Sequence, residues 1–219
     1  MHSNRFQIRA FGPTACFTRP EMKVERVSYE VMTPSAARGL VEAILWKPAI
    51  RWHIHEIAVL RPIRWVSFRR NEVNDRASPR VLDFFADEPS RRAQRNTVAL
   101  RDVDYVITAS FAMTERAGPD DNVTKFEQMF ARRLERGQCF HAPCLGCREF
   151  AASVEPAPPD LQPIEPTVDR PLGMMFYDFD YRPGRATRPL FFEARLSGGV
   201  LRVPSWAEVL RENAAGGAA

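Results

Sequence analysis

Thr124–Gly137, TKFEQMFARRLERG, is the stretch that decides the fold. Phe126, Met129, Phe130 and Leu134 recur at helical spacing and make one apolar stripe. Thr124 and Glu127 read as a capping box at its start, and Gly137 supplies the left-handed residue that ends it. Arg132, Arg133 and Arg136 fall mostly off the stripe, so the helix has an apolar face to bury and a cationic face to expose. Upstream, Thr33-Pro34 reads as an N-cap followed by proline at the first helical position. Ala37, Leu40, Val41 and Ile44 carry a second helix to about Trp46, before Pro48.

Strand patterns surround these two helices. Phe6, Ile8 and Ala10 alternate with Gln7 and Arg9 up to Phe11, and further strands are predicted at Arg51–Leu60, Arg64–Phe68 and Thr97–Phe111. The last two form a hairpin across Asn71–Asn96, a charged insert expected to be a long loop. A strand from Cys147 to Val154 completes the order βαββαβ. The fold class expected is therefore α+β, a ferredoxin-like (RRM-like) domain over residues 1–154. Six prolines between Glu155 and Pro171 make residues 155–172 a linker. Strands at Met174–Tyr181, Leu190–Leu196 and Val200–Val203, the last two joined by a Ser197-Gly198-Gly199 turn, give residues 173–219 a small C-terminal antiparallel β-sheet. Ala214–Ala219 is expected to fray.

Composition narrows the functional classes. The chain has 219 residues, 45% hydrophobic and 26% charged, as in ordinary globular proteins. No apolar run is long enough to cross a membrane and Met1–Arg9 lacks a signal-peptide core, so the expected location is cytoplasmic, with no membrane partner. Cys16, Cys139, Cys144 and Cys147 are then expected to stay reduced. Lysine and arginine exceed acids by 24 to 18 in residues 1–150 but fall short, 7 to 9, in residues 151–219. The first segment is the candidate polyanion surface. Only Lys23, Lys47 and Lys125 among 31 cationic residues are lysines, and lysine, unlike arginine, can give up its proton when its surroundings demand it.

Three stretches resemble the Cas-five family, subtype d, of CRISPR-associated proteins: FTRPEMKVERVSYEVMTPSAARGLVEAILWKPAIRW (Phe17–Trp52), RRNEV (Arg69–Val73) and KFEQMFARRLERGQCFHAPCLGCREF (Lys125–Phe150). The resemblance implies an RNA-binding ferredoxin-like domain that cleaves pre-CRISPR RNA beside the repeat hairpin without metal or cofactor. It further implies that the subunit stays on the 5′ handle of the mature RNA, next to the backbone and large subunits of a type I-C surveillance complex. The family site holds a tyrosine near the end of the first helix and a lysine-histidine pair at the start of the second. The lysine falls on Lys125, whereas Leu45 and Phe126 occupy the tyrosine and histidine positions.

Metal-free RNA cleavage uses the ribose 2′-hydroxyl as nucleophile, so the protein must deprotonate it, align it and neutralise charge on the phosphate. Lys125 at a helix start is the candidate charge stabiliser. His141, in the loop Gly137–Gly146, is the acid-base candidate, and Tyr29 in a basic stretch could replace the missing tyrosine. Lys23, Arg26, Arg38, Lys47, Arg69, Arg70 and Arg148 are candidate phosphate contacts. Phe17, Trp46 and Trp52 could stack on bases but have the spacing of core residues. His53 and His55, two apart on one strand face, are read as structural. Two alternatives differ in kind: a non-catalytic scaffold on the RNA handle, which Leu45 and Phe126 favour, and a zinc module using Cys139, His141, Cys144 and Cys147.

Overall fold

A computed structural model describes residues 1–219 except 79, 81–82, 165–168, 183, 185 and 216–219. The elements run β1 (Phe6–Ala15), β2 (Arg26–Val27), α1 (Pro34–Ile44), β3 (Ile50–Val59), β4 (Trp65–Val73), β5 (Arg92–Met113), α2 (Val123–Glu135), β6 (Ser153–Pro156), β7 (Asp169–Asp180), β8 (Arg188–Ser197), β9 (Val200–Arg202) and α3 (Trp206–Ala215). Among the described residues the strands join in one sheet ordered β6-β1-β5-β3-β9-β8-β7, with β2 and β4 also on β5. The α+β class with a large antiparallel sheet is as expected; β2, parallel to β5, is the exception to antiparallel pairing.

The 22-residue β5 is the spine. Its second half pairs with β1 on one side and β3 on the other, and its first half carries β4. Asp102, where the strand changes partners, has φ 53°. The hairpin expected from β4 and β5 is longer than its sequence signals: Asn71–Val73 and Arg92–Asn96, expected to be loop, extend the ladder, because Val73 pairs with Arg92 and Arg69 with Asn96. Polar residues tolerate strand geometry when backbone pairing is satisfied and the side chains face water.

Both helices bury their stripes on the β1–β5–β3 face. Thr33 caps α1 as predicted, its Oγ1 accepting from Ala36 N at 3.3 Å, and the helix ends at Ile44 rather than Trp46 because Leu45 turns extended. The start of α2 differs from the capping box expected at Thr124. Asn122 is the cap, accepting from Lys125 N at 2.9 Å, while Glu127 accepts from Asn4 N at 2.6 Å. An asparagine two residues earlier wins because its amide oxygen reaches the third free N–H, leaving Thr124 exposed inside the first turn. Phe130 packs 4.8 Å from Phe6 and 4.6 Å from Trp52, and Trp52 lies 5.2 Å from Phe111, centroid to centroid. Each such buried ring is worth roughly 2–3 kcal/mol, so this cluster anchors α2 to the sheet.

The C-terminal half departs from expectation in three places. The strand predicted from Cys147 begins at Ser153, because residues before it close a tight loop in which Leu145 N donates to Phe150 O at 2.7 Å and Phe150 N to Cys147 O at 3.0 Å. The C-terminal strands are not separately paired: β9 bonds both β8 and β3, so they continue the same sheet. A helix, α3, follows them where only strands and a turn were expected. Of the tail expected to fray, Ala214 and Ala215 belong to α3 and residues 216–219 lie outside the described residues.

Candidate active site and nucleic-acid interface

Lys125 stands in the first turn of α2, exposed, with Nζ 2.9 Å from Asp121 Oδ1 and 3.5 Å from the Asp120 carbonyl. The Asp121 carboxyl is held below its usual range by the Lys125 hydrogen bond first, then by the Gly118 N–H, with Lys47 contributing at longer reach. Lys125 bonds this acid, whereas Lys47 acts on it only through its charge. A phosphate arriving there meets the Lys125 ammonium and the positive end of the helix dipole. Lys47 is exposed, and its neighbour Trp46 is 55% exposed, against the core role its spacing predicted. Trp52 and Phe17, at 3% and 2%, do sit in the core.

The two positions at which the family site would carry tyrosine and histidine are apolar and buried. Leu45 is 0% exposed at the end of α1 and Phe126 is 2% exposed one residue after Lys125. The ends of the two helices are nevertheless tied: Arg133 Nη1 donates to Ile44 O at 2.9 Å, and Phe140 N donates to Ala43 O at 2.6 Å. Phe140 itself is 76% exposed beside His141. His141 is exposed, with Nδ1 donating to the Ala142 carbonyl at 3.2 Å. Lys125 lies in the first turn of α2 and His141 in the loop that follows its last turn, and no hydrogen bond joins the two side chains among the described residues.

Tyr29 does not replace the missing tyrosine. Its ring is 1% exposed, under the Arg19 guanidinium at 4.4 Å, and its hydroxyl accepts from Phe176 N at 3.1 Å. Burial pushes its pKa up, so it neither reaches solvent nor titrates near neutrality. Arg38 is also committed elsewhere: it grips Asp178 through two nitrogens, at 2.8 and 3.1 Å, and Glu42 at 2.8 Å, tying α1 to β7. Arg26 and Arg70 both bond Glu149 and both reach Glu72, at 3.4 and 2.9 Å. Their charge is thus largely neutralised within the fold. Lys23, Arg69 and Arg148 are exposed, and Arg69 makes only a 3.4 Å contact with Gln94.

The loop after α2 is fixed by Gly146, whose φ of 89° sets it against Cys16. Thr18 Oγ1 lies 3.5 Å from Cys16 Sγ and 3.4 Å from Cys147 Sγ, and the Cys147 thiol donates to the Cys16 carbonyl at 3.5 Å. The neighbouring Cys16 thiol draws the Cys147 pKa down against the opposing effect of burial, with Thr18 and Arg26 assisting. Cys147 faces Cys16 rather than Cys139 and His141, and no group of three or more potential ligands converges among the described residues. A separate cleft of about 750 Å³ is bordered by Glu21, Glu193, Glu212 and Arg188, an acidic excess that suits a polyanion poorly. No described helix is long and apolar enough to cross a membrane.

Fold and site together define an α+β protein with a lysine-bearing helix start exposed to solvent. The chain belongs to the Cas5d family: the family described as CRISPR-associated protein (Cas_Cas5) matches residues 6–204. Its relatives include the CRISPR pre-crRNA endoribonuclease Cas5d of Mannheimia succiniciproducens, 47% identical over 92% of this chain and 96% of that one. The protein of the same name from Thermus thermophilus is 40% identical over 92% of each. A crystal structure of a CRISPR-associated protein superposes with TM-score 0.73 at 24% identity, covering 95% of this chain and 96% of the other, which shows the shared fold.

Proposed function

We propose that this chain is a metal-independent endoribonuclease that binds the stem-loop of CRISPR repeat RNA and cuts beside it. It then stays on the 5′ handle in a type I-C surveillance complex, next to the backbone and large subunits. Membership of a family whose relatives are named pre-crRNA endoribonucleases supports the activity. The observation that carries the site is the exposed Lys125 ammonium at the capped start of α2.

In this reading the ribose 2′-oxygen forms a bond to the adjacent phosphorus and the bond from phosphorus to the 5′-oxygen breaks. The 2′ proton passes to a base and a proton is delivered to the departing 5′-oxygen. Lys125 and Lys47 balance the charge that grows on the phosphoryl oxygens, an effect largest where donors are already in place. His141, in the exposed loop after α2, is the acid-base candidate. Lys23, Arg69 and Arg148 provide further phosphate contacts. The sheet order β6-β1-β5-β3, with α1 between β1 and β3 and α2 between β5 and β6, supports reading residues 1–154 as a ferredoxin-like unit. Residues 155–172 then serve as connector and 173–219 as a C-terminal β unit.

Incubation of the pure protein with repeat RNA in EDTA tests the activity. A product of fixed length is expected, and Lys125→Ala should slow its formation about 100-fold, the usual effect of losing one positioned charge stabiliser. Unchanged cleavage by Lys125→Ala would remove that residue from the site. A second reading, a handle-binding scaffold without catalysis, is favoured by the burial of Leu45 and Phe126. Tight, salt-sensitive binding with no product from the wild-type chain would establish it.

A further inference from the structure

Three of the four histidines of the chain meet on the sheet face opposite α1 and α2. The strand register brings them there. His53 pairs with Ser110, Arg51 with Ala112, and His2 bridges to Ala112 from the other side of β5. His2 and His53 rings are 6.1 Å apart, and His55 Nε2 lies 2.7 Å from the Ser110 hydroxyl. His2, Arg5 and Arg51 are exposed around this floor. Glu56 is the one acid that acts on His55, and it stands opposite Arg202 on β9. The patch also adjoins the site: Asn4, beside Arg5, donates its N–H to Glu127 in the first turns of α2.

We propose that this face, built from His2, Arg5, Arg51, His53 and His55 over the buried Ser110, is a second binding site for RNA phosphates, continuous with Lys47 and Lys125 around the end of the sheet. The proposal rests on the RNA-binding reading above and extends it to residues assigned no such role. A polar surface with two guanidinium groups and three imidazoles offers donors to a phosphodiester backbone at several points and has one carboxylate to repel it. Burial first, and then the positive charge of neighbours, lowers the pKa of both His53 and His55: His2, Arg51 and His55 act on the first, Arg5 and His2 on the second, with Glu56 opposing. The free face therefore holds these imidazoles neutral at physiological pH. A bound phosphate reverses that balance and favours the imidazolium, so binding takes up protons and tightens as the pH falls.

The test is fluorescence anisotropy with a labelled RNA hairpin carrying single-stranded flanks, at two salt concentrations and at about pH 6 and pH 8. The wild-type chain is expected to bind about tenfold tighter at the lower pH, the factor given by a shift of one pKa unit. His53→Gln/His55→Gln should flatten that dependence. Arg5→Ala/Arg51→Ala, both at exposed positions, should reduce the salt slope by about 0.7 for each phosphate that is no longer neutralised. The arginine variant keeps the test valid if the histidine variant folds poorly. Wild-type affinity, pH dependence and salt slope in the arginine variant, alongside weaker binding by Lys125→Ala, would overturn this face and leave the α2 site standing. Failure of the wild-type chain to bind the RNA at all would overturn both.

Discussion

A β-carbon at position 146 would stand 2.0 Å from the carbonyl oxygen of Cys16, and the backbone there has φ 89°. Gly146→Ala must therefore move backbone or abandon the bridge between the α2 loop and β1. The cost is about 3 kcal/mol, strain and overpacking together, which lowers the melting temperature by roughly 8 °C in a calorimetric scan. Since the same loop carries Arg148 and Glu149, the variant should also loosen the clamp on Arg26 and Arg70. Lys125 was legible as a helix-start lysine because capping and periodicity are local. Tyr29 was not, because only the approach of β7 decides that its hydroxyl meets Phe176 N rather than water.

At the scale of elements, α3 carries a local signal as clear as that of the two core helices. Ser205 and Glu208 form the reciprocal cap that the sequence suggests for Thr124 and Glu127. Ser205 N donates to Glu208 Oε2 at 2.7 Å, and Glu208 N donates to Ser205 Oγ at 3.4 Å. Asn213 then ties the helix to β8, accepting from Phe191 N and donating to Phe191 O. Ser205→Ala should cost about 1 kcal/mol, read as a melting shift of roughly 3 °C, and hydrogen exchange should speed in α3 before the central sheet. The long β4–β5 ladder shows the converse. Its sequence is polar and charged, which reads as loop, yet its backbone pairs residue for residue from Trp65 to Val73.

The molecule as a whole has an acid limit that follows from its partly buried histidines. His53 and His55 have folded pKa values lowered from the ordinary 6.5. Below that value the unfolded chain binds more protons than the folded one, so stability falls as the pH drops through and beneath this range. Urea midpoints should decline between about pH 7 and pH 5, and His53→Gln/His55→Gln should decline less. An equal decline in the variant would assign the loss to carboxylates instead.

By itself the sequence determined the two core helices, the alternation of β1, the strands of the C-terminal half and the Lys125 helix start, because each follows from neighbours a few residues apart. Tertiary structure alone decided which cations remain free: Glu149 takes Arg26 and Arg70, and Asp178 takes Arg38, across gaps of dozens of residues. It also decided that His2 and His53 share a surface. Strand register brings them within reach across β5, and register is a property of the assembled sheet.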